Sequence, residues 1–263
     1  MRIGKPLYLD FSGEPPNPDW IVEGLFERGT LTVIAAAPSA GKSFVMASLA
    51  VAAIQGKPWL GRPTHGRRVL YIDNENHPRI VRWRLQGLGM VNEDRGNLRY
   101  FLREGVRIGE GPWLEKVKAE IDEYRPDLMV LDTATSTLAV KSGNDNSEVG
   151  AMMGLLRGLC ESGVAMVLLH HERKTSSENG RGQAGAAMLG AGQWQGQADQ
   201  HLSLLKRGDV EKRDMADGGS RKRYRMKLEV PKNRDGDDSS LDLAIVSEHD
   251  PDGKPIKTRV VIE

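Results

Sequence analysis

The stretch TLTVIAAAPSAGKSFVMASLA, residues 30–50, decides how this chain is read. Leu31 to Ala36 form an uninterrupted apolar or β-branched run, which reads as a strand covered on both faces. From Lys42 to about residue 55 the pattern is helical. Between them lie Ala37, Pro38, Ser39, Ala40 and Gly41. A strand, a short small-residue loop and a helix opening on Gly41-Lys42-Ser43 is the context of a phosphate-cradling loop. The first turn of a helix presents unpaired N–H groups and a positive dipole end, so an anion is favoured there. Gly41 lets the backbone come close to phosphate. Lys42 would reach the outer phosphates, Ser43 would ligate Mg²⁺, and Phe44 follows them into the helix. The usual pattern has glycine at the position of Ala36. Alanine tolerates positive φ less well, so the turn geometry is expected to depart there while the role of Lys42 is unaffected.

The rhythm continues outward from this unit. Apolar β-rich runs recur at 68–73, 98–102, 127–132 and 164–170, with helical patterns at 77–88, 112–124 and 147–162 between them. Val149, Met152, Met153, Leu155, Leu156 and Leu159 mark one helix face. Apolar strands alternating with helices predict an α/β fold, its central sheet mostly parallel and covered on both sides. After residue 196 the pattern changes to alternating strands without helices, which predicts antiparallel strands appended to that sheet, with a charged turn at 207–223. Residues 1–19 read as an arm or linker, "WIVEGLF" (20–26) as a short docking segment, and 20–263 as a single domain.

Composition narrows the function classes. The formal net charge of +1 over 263 residues gives no global basic field, so any nucleic-acid contact must be local. The one cysteine, Cys160, cannot form an internal disulfide, and a reducing cytoplasm is expected. No apolar run is long enough for a membrane span or a signal peptide.

Three further positions supply what a phosphate loop needs for hydrolysis. "DLMVLDTATS" ends a strand at Asp132, the place of a Mg²⁺-organising acid acting through Ser43 or water. "RVLYIDNENH" ends another strand with Asp73 and Glu75, and Glu75 is placed to orient and deprotonate water. Parallel strands deliver these ends to one edge, where ligands bind in such sheets. "MVLLHHERK" closes a third strand with two adjacent histidines, which point to opposite faces and so do not share one metal ion. His171 is the expected γ-phosphate sensor, with His170 packing elsewhere.

With these motifs in order, the chain resembles the RecA-like ATPases, and within them the RepA and DnaB branch of ring-forming replicative helicases and its phage relatives. "YIDNENH" is similar to the RecA segment that carries the catalytic glutamate. The segments from "NDNSEVGAMMG" through "HHERK" to "GRGQAGAAMLG" look like the RepA pattern around its double histidine, and "LEVPKNRDG" resembles the Lys-x-Arg element of DnaB and RadA proteins. The resemblance spans about residues 20–247. It implies ATP and Mg²⁺ as ligands and a homo-oligomer, a hexameric ring with composite sites into which Lys232 and Arg234 reach from the neighbouring subunit. Arg181 is a rival arginine finger. It also implies single-stranded DNA contact by the loops 133–147 and 173–190, through Lys141, Arg173, Lys174 and Arg181. Replicative translocation or unwinding is the leading expectation. A recombination or repair ATPase that binds single strands without unwinding is the alternative, and a regulatory ATPase that does not grip DNA is another. The basic run "RKRYR" (221–225) reads as a solvated hairpin end facing nearby acids, or as a second nucleic-acid contact.

Overall fold

The computed structural model describes residues 13–14, 17–143, 145–171, 192–233 and 240–263. A two-stranded sheet comes first, β1 (Trp20–Val22) and β2 (Phe26–Glu27). Then follow β3 (Leu31–Ala36), α1 (Lys42–Gln55), β4 (Val69–Asp73), α2 (Pro78–Gly87), a 3₁₀ turn (Asn92–Asn97), β5 (Leu98–Leu102) and α3 (Gly111–Tyr124). The chain continues through β6 (Leu128–Asp132), α4 (Ala134–Thr137), α5 (Asn146–Cys160), β7 (Ala165–His171) and α6 (Gly192–Gln197). It closes with β8 (Gln200–Asp214), β9 (Ser220–Asn233), β10 (Ser240–His249) and β11 (Pro255–Ile262).

Nine strands form one sheet in the order β11-β10-β9-β8-β3-β7-β6-β4-β5. From β8 to β5 neighbouring strands run parallel, and from β8 to β11 they run antiparallel. The expected α/β architecture is therefore present, and its physical cause is visible along each strand. In β3, Ile34 and Ala36 enter the core under α1, while Leu31, Val33 and Ala35 enter the opposite core under α3 and α5. Strands that must be apolar on both sides have no polar period, which is why they read as continuous runs.

Helix ends follow local chemistry. His77 caps α2 by accepting from Arg79 N (3.2 Å), with Pro78 at the first position. The Asp145 carboxylate accepts from Ser147 N and Glu148 N at the start of α5. Gly56 ends α1 in the left-handed region, φ 62°, donating to Ala52 O and Ala53 O.

Three expectations are corrected. The charged segment 207–223 is not a turn: β8 and β9 run through it, and only Met215–Gly219 lie between them. From Lys206 to Asp214 both faces of β8 are exposed or half-buried, so no apolar period marks the segment as strand. "WIVEGLF" is not an outlying docking segment, since Ile21, Val22, Leu25 and Phe26 are fully buried in the α1-side core. Ala36 does not sit at the turn: it is the last residue of β3, pairs in register with His171, and is fully buried. The left-handed positions of the loop are Ser39 (φ 61°) and Gly41 (φ 91°). A Cβ on Gly41 would lie 3.0 Å from Ile245 Cδ1 and 3.2 Å from Met226 Cε.

Ala36→Gly, which restores the usual residue, is therefore expected to lower unfolding free energy by about 0.5–1 kcal/mol, because glycine in a strand loses more backbone entropy. Gly41→Ala is expected to cost more, about 1–2 kcal/mol from the left-handed backbone alone. Urea titration of both variants checks this, and a stabilised Ala36→Gly would contradict the strand assignment.

Candidate functional site

The parallel strands end together. In register, Ala36 of β3 lies beside His171 of β7, and Asp73 of β4 beside Asp132 of β6. The resulting edge carries a buried lysine and two buried aspartates, each held by specific partners. Lys42, 5% exposed, folds its ammonium back under the loop and donates to Ala36 O (2.8 Å) and Ala37 O (3.1 Å). Its third contact is His171 Nδ1 at 3.1 Å. Burial, then the Lys42 charge, lowers the His171 pKa, so the ring is neutral and Nδ1 acts as acceptor. His170 points the other way, stacking on buried Trp194 at 5.0 Å, and burial pushes its pKa down to about 4. Trp194 Nε1 donates to Gly143 O (3.4 Å), tying the loop after β6 to the back of the histidine strand.

Asp73 shapes the turn after β4. Its Oδ1 accepts from Glu75 N and Asn76 N, both 2.9 Å, and its Oδ2 from Asn76 Nδ2 (2.9 Å) and Tyr100 OH (3.0 Å). Asn74 Nδ2 fastens the same turn to Val106 O and Ser136 O. Asp132 Oδ2 accepts from Tyr71 OH at 3.1 Å, while Oδ1 is buried without a hydrogen-bond partner among the described residues. Burial pushes the Asp132 pKa up to about 6, with Asp73 and Glu75 adding repulsion and Ser43 and Tyr71 opposing it. The two tyrosines are register partners whose rings stack at 4.6 Å and 7°. Burial raises both phenol pKa values, Asp132 further raising that of Tyr71 and Asp73 that of Tyr100, so both remain donors. Glu75 is exposed, and its Oε1 accepts from Thr133 Oγ1 at 2.7 Å. Thr133, joined to Asp132 by a cis peptide, also donates its backbone N–H to Ser136 Oγ at 2.9 Å.

Lys42, Asp132, Glu75 and His171 thus gather on one sheet edge, with Ser43 at the start of α1. A hydroxyl beside an unpartnered carboxylate oxygen is a hard-oxygen donor set that fits Mg²⁺. Ala37, Pro38 and Ser39 are exposed, Ala40 is buried, and Gly41 packs on Met226 and Ile245 of β9 and β10. Beside the loop is a cleft of about 290 Å³ lined by Ser39, Gly41, Phe44, Tyr224, Ser247 and His249, among others. A larger groove, about 740 Å³, lies between α2 and the β5 edge; none of the loop residues lines it. Lys141 is exposed on the loop between α4 and α5. Lys232 lies on β9, in register with His201. Arg173, Lys174, Arg181 and Arg234 lie outside the described residues. Tyr71, Tyr100 and Thr133 escape a sequence reading, since their roles depend on strand register and on which turns meet.

A family model described as an AAA domain matches residues 6–177, more than half of the chain. The chain belongs to this AAA-domain family. Its fold is shared with a KaiC-like protein from Pyrococcus horikoshii, which superposes with a TM-score of 0.55 over 92% of this chain and 93% of that one, at 14% identity. The DNA repair and recombination protein RadB of Methanobrevibacter smithii is 33% identical over 159 residues, 57% of this chain. The match spans 62% of that relative's length. These comparisons support the recombination and repair reading better than the ring-helicase one. No helix among the described residues is long and apolar enough to cross a membrane.

The raised Asp132 pKa fixes the sign of a pH effect. Between the unfolded value near 3.8 and the folded value near 6, the folded state holds more protons, so stability falls as pH rises through that window. Asp132→Asn is expected to stabilise the protein at pH 7 by an amount on the order of 1–3 kcal/mol and to give no gain near pH 4. Thermal melts at the two pH values check it, and an equal effect at both would contradict the burial of charge.

Proposed function

We propose that this chain binds ATP with Mg²⁺ and hydrolyses it to ADP and phosphate, and that it works on single-stranded DNA as a RadB-like recombination or repair ATPase. The single observation that carries the ATPase reading is the Lys42 ammonium, buried at the loop and clamped by two loop carbonyls and His171, with the unpartnered Asp132 oxygen on the same edge. The DNA reading is supported by the likeness to RadB and by exposed Lys141.

The residues divide the work as follows. Backbone N–H groups of Ala37 to Lys42 cradle the phosphates, with Pro38 contributing no N–H, and the nucleoside occupies the cleft against Phe44 and Tyr224. Ser43 and Asp132 would hold Mg²⁺, which when bound offsets charge on the β- and γ-phosphate oxygens. A phosphate oxygen competes with His171 for the Lys42 ammonium, so His171 loses its donor when the γ-phosphate arrives. That exchange makes His171 a sensor of the γ-phosphate. Glu75 takes a proton from the attacking water, and its Thr133 hydroxyl partner sets where the carboxylate waits. Lys232 and Arg234 from a neighbouring subunit complete the site in a homo-oligomer, with Arg181 the rival finger. Lys141, Arg173, Lys174 and Arg181 contact the DNA backbone.

Lys42→Ala is expected to abolish hydrolysis. Glu75→Gln is expected to keep ATP affinity and lose at least about 100-fold in kcat, the usual weight of a general base. Thr133→Val should lower kcat with little change in KM, and Thr133→Ser should restore it. Steady-state phosphate release, with ATP binding followed in parallel, reads all four. Wild-type turnover in Glu75→Gln would refute the base assignment, and absence of stimulation by single-stranded DNA would refute the DNA reading while leaving the ATPase intact.

A further inference from the structure

The antiparallel strands β8 to β11 have two different faces. One carries Met226, Leu228, Leu243 and Ile245 into the core under α1. The other is covered by no described element, and its cross-strand register arranges three rows. The first row is Arg213, Arg221, Glu248 and Lys257. The second is Glu211, Arg223, Val246 and Arg259. The third is Arg207, Arg225, Ala244 and Val261. Seven of these twelve positions are cationic and two are acidic.

The carboxylates of these rows, and Glu263 beside them, are already engaged, while the next row along carries exposed Asp242 opposite Lys227. Glu248 pairs with Arg221 at 2.8 Å and Glu211 with Arg225 at 2.9 Å. Glu263 accepts from Arg223 at 2.5 Å and from Arg225 at 3.2 Å. Arg207, Arg213, Lys257 and Arg259 make no ion pair among the described residues, and all four are exposed. Arg213 faces Arg221 and Arg207 faces Arg225 directly across the strands. Like charges placed opposite each other destabilise a sheet, so the fold gains nothing from these pairings. A chain whose net charge is only +1 has concentrated cations here.

We propose that this arginine face is a binding surface for the phosphodiester backbone of a nucleic acid, separate from the loops that follow β6 and β7. Guanidinium forks match phosphate oxygens in pairs. Arginines at alternate positions of a strand recur about every 6.8 Å, about twice the 3.4 Å phosphate rise of a nucleic-acid strand. Between the arginines the floor is flat: Ala244 and Val246 are buried, and no aromatic lies in the three rows, so bases are not stacked or read. None of the exposed large apolar side chains lies in these rows either. A bilayer would need such groups to insert, and a protein partner would use them as anchors at the centre of the contact. The same strands line the cleft beside the phosphate loop with their opposite face, through Tyr224, Met226, Ile245 and Ser247. The surface therefore backs onto the nucleotide site, and the two meet at Arg225, which also lines the cleft.

The test uses the full chain and the double variant Arg213→Ala/Arg259→Ala, neither residue being ion-paired. Anisotropy of fluorescein-labelled single-stranded and duplex DNA of mixed sequence is measured without nucleotide over a series of salt concentrations. The expected result is weaker binding, with a log–log salt slope shallower by about 1.4 on a single strand or about 1.8 on a duplex, two phosphate contacts being lost. Whichever form shows the change is the form bound. Arg213→Lys/Arg259→Lys should recover most of the slope, and the alanine variant should keep the wild-type melting temperature and DNA-free ATP hydrolysis. Unchanged affinity and slope on both DNAs would overturn the proposal. So would loss of binding to labelled polyglutamate or to anionic vesicles with DNA binding intact. Because no ATP is present, failure of the ATPase reading leaves this measurement interpretable.

Discussion

A lysine ammonium withdrawn from water needs acceptors for its three N–H bonds, and Lys42 finds them in Ala36 O, Ala37 O and His171 Nδ1. This contact joins the end of β3, the phosphate loop and the end of β7, so the geometry of three segments depends on it. Burial and then the adjacent Lys42 charge lower the His171 pKa. The buried carboxylates Asp73 and Asp132 solve the opposite problem. They are register neighbours on adjacent strands and would repel, so each takes a tyrosine hydroxyl from a stacked pair lying behind them. The sheet edge is thus a set of polar groups most of which are hydrogen-bonded, with Asp132 Oδ1, Asn74 Oδ1 and His170 Nδ1 left without a partner among the described residues. A buried acceptor without a full hydrogen bond is costly, and the Ser43 hydroxyl beside Asp132 offsets part of that cost.

The antiparallel extension shows how the two-residue period of a strand separates two tasks. Tyr224, Met226, Ile245 and Ser247 point toward the phosphate loop and form a wall of the cleft. Arg223 and Val246, one position along, point away into the arginine face, while Arg225 lies on that face and also lines the cleft. Gly41 could not carry a side chain without pressing on Ile245 and Met226, so loop and extension are fitted to each other.

The AAA-domain match at residues 6–177 covers the loop and the strand-end acids, and the KaiC-like structure shows that the same fold persists at 14% identity. Such persistence is expected of a parallel sheet. Its strands need only be apolar on both faces, and its binding edge is fixed by the direction of the strands rather than by particular core residues. The likeness to RadB concerns a narrower stretch of chain, and it is that likeness which favours repair or recombination over unwinding.

The sequence by itself determined the order of strands and helices, the parallel sheet and the candidate residues Lys42, Ser43, Glu75, Asp132 and His171. These are local signals: runs of apolar residues, a loop motif, and acids placed at strand ends. Only the tertiary structure decided what surrounds them. Tyr71 and Tyr100 are 29 residues of chain apart and meet because β4 and β5 pair in one register. Thr133 reaches Glu75 because two separate turns converge on one edge. The place of Ala36 within β3, rather than at its turn, depends on where pairing with β7 stops. The charged residues 207–223 read as a turn because solvated alternation in sequence is indistinguishable from loop until a partner strand is supplied. Strand register and sheet order are set by packing over the whole molecule, and no local pattern carries them.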